Sequence, residues 1–167
     1  HAPHVTRVST SEEALAAIGR SDFDMVITML RVGGPEMRRF SQAIRQIAPQ
    51  LPVILLIANE LELARIGESR SELGVDDIYV WQGDARLFPA MIKAVEDRWN
   101  AERDTQIGGV GVIILVEDSL RYRSSLLPVL YTELVHQTRR VMQESLNRMH
   151  KLLRLRARPK ILTAQNY

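Results

Sequence analysis

The residues of this chain that could do chemistry are its charged, hydroxyl and histidine side chains, because it contains no cysteine. They are densest in segment 136–160, where eight lysines and arginines accompany one acid, Glu144. Such a segment could bind nucleic-acid phosphates, but it has neither interleaved aromatic residues nor a helix-turn-helix pattern. We therefore expect it to face solvent or a protein partner, with nucleic-acid binding as an alternative. A lone helical histidine such as His150 is more often a surface residue than a phosphotransfer site.

The composition is typical of a soluble globular protein, with 46% hydrophobic and 25% charged residues in a chain of 167. The formal net charge of +2 conceals an asymmetry. Residues 1–109 carry 12 basic and 16 acidic residues, net −4, whereas residues 110–167 carry 10 and 4, net +6. No apolar run approaches the ~20 residues that cross a bilayer, and the first ten residues lack the apolar core of a signal peptide. We expect a cytoplasmic protein without a membrane segment.

The first half alternates between strand-like and helix-like segments. Strands are predicted at 4–9, 23–30, 53–58 and 77–81. A capping box at 10–13 opens a first helix, a second begins near Pro35, a weaker one over 61–73 ends at Gly74, and an amphipathic helix follows over 85–102. The glycines at 108 and 109 mark the boundary between two domains, 1–107 and 108–167.

The second half begins with a predicted strand at 112–116. A helical pattern then extends over 119–156, roughly 38 residues and far beyond the mean of about 11 to 12. Pro128 should kink this helix, and a heptad spacing of apolar residues in its far half indicates a short coiled-coil seam. A last strand is predicted at 160–164. The alternation of strands and helices predicts an α/β fold with a parallel sheet covered by helices.

The same elements resemble those of a known family. The segments SEEALAAI, FDMVITML, LPVILLIA and GVDDIYVW occur in the order found in a response-regulator receiver domain, from its second strand to its last helix, and VIILVEDS resembles the start of a second receiver. The resemblance covers nearly the whole chain. It implies a flavodoxin-like, doubly wound, parallel five-stranded sheet with strand order 2-1-3-4-5, here with an extra long amphipathic helix.

Receiver domains accept a phosphoryl group from a histidine kinase on an aspartate, with the help of Mg²⁺. In the first half the resemblance places Met29 at the acceptor position and Ile57 and Trp81 at the hydroxyl and lysine positions that sense the phosphoryl group. A thioether has no ionisable oxygen that could attack phosphorus, and a shift of the alignment by one residue brings in only Thr28. This half therefore resembles a pseudo-receiver that cannot be phosphorylated.

In the second half the resemblance places Glu117 and Asp118 at the acidic pair that holds Mg²⁺, a cation that prefers carboxylate oxygens. The alternative is that these residues and Ser119 only cap the long helix. The acceptor aspartate of this second receiver would lie on a strand after Tyr167.

The resemblance leaves the first strand of the first receiver unassigned. A segment preceding residue 1 could supply it, or residues 112–116 could fill that place in the same chain or in a swapped partner chain. Two incomplete receivers in tandem account better for both predicted strands, 112–116 and 160–164. In a single receiver, 160–164 and 4–9 would compete for the same edge of the sheet.

Together these features predict the non-enzymatic receiver region of a two-component phosphorelay protein. Its first module would act by protein contact through the surface around Trp81 and the face of its last helix. The partners would be a histidine kinase or an output domain of the same protein, with homodimerisation through the long helix as a further option. The main alternative is a regulatory receiver of an enzyme similar to pyruvate, phosphate dikinase or phosphoenolpyruvate synthase.

Overall fold

The computed structural model describes residues 4–29, 34–66, 70–143 and 158–164. The chain divides into two compact units, His1–Tyr79 and Val80–Tyr167. The predicted domain boundary at 107/108 lies within the second of these compact units and stays a prediction. The two units are described in turn.

The first unit is built around a three-stranded sheet. In chain order its elements are α1 (Ser11–Ile18), β1 (Val26–Met29), α2 (Gly34–Ile47), β2 (Val53–Ile57), α3 (Glu60–Ile66), α4 (Arg70–Leu73) and β3 (Asp77–Val80), whose last residue belongs to the second unit. The strands lie in the order β1-β2-β3, and β1 runs parallel to β2 with Met29 opposite Leu56. Every residue of β2 is buried, as expected of a continuous apolar strand in the middle of a sheet.

The predicted capping box opens α1. The Thr10 hydroxyl accepts a hydrogen bond from the Glu13 N–H at 3.1 Å, and the Glu13 carboxylate accepts one from the Ser9 N–H at 2.9 Å. The carboxylate thus reaches one residue further back than the usual capping box, in which it bonds the N-cap residue itself. The local signal for this helix start is confirmed.

The strand predicted at 4–9 is wrong, because these residues form no strand and are exposed. Val5 and Val8, exposed by 80% and 39%, are three residues apart, so a strand would point them to opposite faces and could not bury both on one. The backbone N–H of Ser9 is also committed to the start of α1.

The turn before β3 is held by α2. The Ser41 hydroxyl donates a hydrogen bond of 2.6 Å to the Leu73 carbonyl, and Gly74 ends α4 with a left-handed φ of 71°. Arg45 pairs with Asp76, whose Oδ2 also accepts the Val53 N–H at 2.7 Å. This carboxylate therefore fixes the start of β2.

The second unit contains a parallel strand–helix–strand arrangement and a long helix that precedes it. Its elements are α5 (Leu87–Gly108), β4 (Val112–Val116), α6 (Leu120–Gln143) and β5 (Lys160–Ala164). Strands β4 and β5 pair in parallel with Val112 opposite Lys160 and Val116 opposite Ala164. Helix α5 packs against both α6 and β5. Pro128 lies inside α6, and the predicted continuation of this helix beyond 143 and most of its heptad positions lie outside the described residues.

The predicted α/β class with parallel strands is confirmed, but the single five-stranded sheet is not observed. The described strands form separate sheets of three and two strands. Hydrophobic pattern identifies strands, whereas the pairing of their edges is decided by contacts between distant segments.

Gly74 offers a test of the packing that holds the turn before β3. A Cβ at this position would lie 2.6 Å from the Ser41 Oγ, and the backbone has a positive φ. We expect Gly74→Ala to lower the free energy of unfolding by about 2 to 4 kcal/mol, measured by urea denaturation followed by circular dichroism.

The matched control is Gly83→Ala, because Gly83 has a φ of 83° but nothing within 4 Å of the place that an alanine methyl group would take. It should cost about 1 kcal/mol, from the backbone conformation alone. Equal losses in the two variants would show that the contact with Ser41 does not constrain the turn.

Candidate functional site

The carboxyl ends of β1 and β2 lie at the same edge of the three-stranded sheet, where the resemblance places two of its functional positions. Met29 is the last residue of β1 and is 49% exposed, whereas Ile57 is the last residue of β2 and is fully buried. Both side chains are apolar and neither can donate or accept a proton. This edge of the sheet therefore carries no acceptor for a phosphoryl group at these two positions.

The third such position, Trp81, directly follows β3 and lies within the second unit, where it packs against Phe88 of the same unit. Its ring lies 5.2 Å from that of Phe88 with an interplanar angle of 45°. Aromatic pairs in this tilted arrangement stabilise one another beyond the area they bury. A tryptophan held in this way fills the position with a large apolar surface instead of the cation that phosphoryl recognition requires.

The acidic pair lies at the junction between β4 and α6, as predicted. Ser119 accepts a hydrogen bond on its hydroxyl from the Tyr122 N–H at 3.3 Å, while the Glu117 carboxylate accepts one from the Ser119 N–H at 2.9 Å. These contacts are those of a helix cap, in which side-chain oxygens bind the N–H groups that lack a partner within the helix.

Magnesium binding by Glu117 and Asp118 stays a prediction. Among the described residues there is no cluster of three or more His, Cys, Asp or Glu side chains that could hold a metal ion. Mg²⁺ keeps several waters and is often held by one or two protein carboxylates, so an adjacent acidic pair is chemically compatible with it.

A polar cluster among the described residues of the second unit is centred on Asp97, which is fully buried on α5. Its two carboxylate oxygens accept hydrogen bonds from both terminal nitrogens of Arg158, at 2.7 and 2.9 Å. The Oδ2 atom also accepts from the Tyr131 hydroxyl at 3.0 Å and from the Ile161 N–H at 2.9 Å. One carboxylate thus joins α5 to α6 and to the start of β5.

The same cluster neutralises its own charges. Arg158 lies with its guanidinium carbon 5.4 Å from the centre of the Tyr131 ring, and Lys160 lies 3.8 Å from Asp97 and 2.6 Å from Asp104. Burial acts to lower the pKa of Arg158, but its hydrogen bonds to Asp97 and the charge of that carboxylate prevail and raise the pKa above its usual value. The arginine is therefore charged at neutral pH.

This cluster changes the interpretation of the basic segment 136–160. Two of its eight cations, Arg158 and Lys160, are directed into the unit and paired with acids of α5. They are therefore not available to bind the phosphates of a nucleic acid, whereas residues 144–157 lie outside the described residues.

Sequence reasoning did not single out Asp97, although a signal for it exists. Asp97 follows Ala94 by three residues and precedes Ala101 by four, so it belongs to the apolar stripe of the amphipathic helix. A carboxylate on such a stripe must be paired when the helix packs. The pairing with Arg158, 61 residues away, has no local signal in the sequence.

The apolar stripe predicted for α5 is buried only in part. Met91 and Val95 are buried, but Phe88 is 37% and Trp99 is 55% exposed. Phe88, Ile92 and Trp99 are separated by four and then seven residues, so they lie along one face of the helix. This half-exposed face, Phe88–Ile92–Trp99, extends from the stacked Trp81 and is called the aromatic face below.

The comparisons with known proteins identify no relative. No family model, curated protein or solved structure matches the chain. None of the helices among the described residues has the length and apolarity needed to span a membrane.

Replacing Asp97 tests its role as the common partner of three elements. Asp97→Asn keeps the shape of the side chain but leaves Arg158, whose side chain is only 10% exposed, without its counter-charge, and we expect a loss of about 3 to 5 kcal/mol in the free energy of unfolding. Both tryptophans of the chain, Trp81 and Trp99, belong to the second unit, so urea denaturation followed by tryptophan fluorescence reports on it.

Glu96→Gln is the neighbouring control, because Glu96 pairs with Lys93 at the surface, where both side chains are at least 40% exposed. Its loss should stay below about 1 kcal/mol. If the two variants unfold at the same urea concentration, Asp97 does not hold the unit together.

Proposed function

We propose that this chain is a receiver-like signalling region whose first module cannot accept a phosphoryl group and acts by protein contact. The observation that carries the proposal is the chemistry of three positions, Met29, Ile57 and Trp81. All three bear apolar side chains at or just after the ends of successive strands. Phosphoryl transfer needs an ionised oxygen as acceptor and cationic groups to offset the charge that develops, and none of these side chains provides either.

The arrangement of the strands supports the receiver-like fold in this proposal. The order β1-β2-β3 is the order that the resemblance assigns to the last three strands of a receiver, and the parallel pair β4 and β5 is joined by a helix as its first two strands would be. The finer assignment, one flavodoxin-like sheet or two tandem receivers, is part of the proposal.

The aromatic face supports action by contact. Its rings are large and amphipathic or apolar, and rigid aromatic side chains dominate the energetics of protein interfaces. Trp99 exposes more than half of its surface and shares one helix face with the partly exposed Phe88, and exposed apolar patches of this kind are typical of interaction sites. The pairing of Arg158 and Lys160 with acids disfavours the alternative of a basic nucleic-acid binder.

Treatment with phosphoryl donors tests the proposal directly. We expect that incubation with Mg²⁺ and acetyl phosphate adds no mass to the chain, as measured by intact-protein mass spectrometry, because residues 1–107 lack a carboxylate at the acceptor position. A phosphorylatable receiver domain in the same tube is the control for the donor. Added mass mapped to a residue of the first module contradicts the proposal.

Magnesium titration tests the second module. If Glu117 and Asp118 hold the ion, Mg²⁺ should shift the amide resonances of residues 117–119 in heteronuclear spectra, and Asp118→Asn should remove these shifts because it removes one anionic ligand. Asp84→Asn is the control, since Asp84 pairs with Arg86 outside the junction. Unchanged resonances at 117–119 assign the acidic pair to capping α6 alone.

A further inference from the structure

Strand β4 has one edge open. It pairs with β5 on one side, and no other strand within the described ranges pairs with it. Four of its five side chains are exposed, namely Val112 (40%), Ile113 (37%), Ile114 (64%) and Val116 (52%). The strand contains no charged residue, proline or bulge, which are the features that usually protect an edge from pairing with another strand.

The hydrogen bonds to β5 show which backbone groups point to the open edge. The Gly111 carbonyl accepts from the Lys160 N–H, and the Glu117 N–H donates to the Ala164 carbonyl, so the odd-numbered residues of this segment face β5. Backbone groups alternate between the two edges of a strand. The N–H and C=O groups of Val112, Ile114 and Val116 therefore point away from β5.

Val112 and Val116 lie two residues before and two residues after Ile114, so the outward-facing backbone groups are arranged symmetrically about Ile114. A two-fold axis through that position places Ile114 opposite Ile114 of a second copy, and Val112 opposite Val116 of that copy. In an antiparallel ladder each of these is a hydrogen-bonded pair that exchanges two bonds, so every outward donor and acceptor of β4 finds a partner. The facing side chains are all aliphatic and form favourable cross-strand pairs.

The charges next to the strand select the antiparallel direction. Glu117 and Asp118 directly follow β4. In the two-fold register they lie opposite Gly111 and Val110 of the second copy, whereas in-register parallel pairing would place each acid beside its own copy and create like-charge repulsion. The edge is thus complementary to itself in one orientation.

From this self-complementarity we infer that β4 pairs in an antiparallel manner with β4 of a second copy of the chain. The result is a two-fold symmetric dimer with a continuous four-stranded sheet, in the order β5-β4-β4-β5. The inference rests on the second unit alone. It and the finer assignment of β4 as the first strand of a receiver exclude each other, because that assignment places another strand on the same edge of β4. A dimer through β4 therefore leaves the proposed contact function of the first module in place and removes only that assignment.

Two charge variants of Ile114 test whether this residue lies on the two-fold axis of a dimer. The wild-type chain should sediment as a dimer that dissociates on dilution. Ile114→Lys and Ile114→Glu should each sediment as a monomer, because the pairing would bring two like charges together, and an equimolar mixture of the two should recover the dimer. Val129→Lys, at a similarly exposed position on α6, should leave the dimer unchanged. Circular dichroism checks that each variant is folded.

Cross-linking gives a second, independent measurement on a folded protein. The chain has no cysteine, so Ile114→Cys introduces its sole thiol. Cα atoms in a hydrogen-bonded antiparallel pair are about 5.5 Å apart, within the range that a disulfide spans. Mild oxidation should convert Ile114→Cys to a covalent dimer and leave Val129→Cys monomeric. Any one of three results overturns the inference. The wild-type chain is monomeric at all concentrations, the dimer survives both Ile114 charge variants, or the two cysteine variants cross-link equally.

Discussion

The second unit depends on one buried carboxylate. Asp97 lies on α5 and binds Arg158, Tyr131 and the backbone of Ile161, so that a helix, the following helix and the start of β5 share a single anchor. A fully buried charge is tolerated only when it is both paired and hydrogen-bonded, and here every contact contributes to that requirement. The geometry of the unit follows from it, because none of the three elements can shift without exposing or isolating a charge.

The first unit is held together by smaller polar contacts around an apolar strand. Ser41 and Asp76 fix the two ends of the turn between α4 and β3, while β2 lies fully buried in the middle of the sheet. This scaffold presents Met29 and Ile57 at its strand ends. Because both side chains are apolar, neither of these two strand ends carries a group that can ionise.

Two exposed features of the second unit underlie the two proposed contacts, that of the aromatic face with a protein partner and that of β4 with a second copy of the chain. The aromatic face of α5 is a side-chain surface, and the open edge of β4 is a backbone surface. The first can discriminate between partners through the shape of its rings, whereas the second offers backbone N–H and C=O groups, which the inferred dimer pairs with the same strand of a second copy. Their different chemistry allows each to be tested without disturbing the other.

The sequence by itself determined the local structure: the capping box before α1, the positions of β1 to β5 within a few residues, the glycine after α4 and the apolar side chain of Met29 at the end of β1. These signals depend on neighbours within one turn or one strand. Tertiary structure alone decided that residues 4–9 form no strand, that the five strands divide into two sheets, that Trp99 is exposed, and that Asp97 binds Arg158. Each of these depends on which distant segments meet, and periodicity within a single element carries no information about its partner.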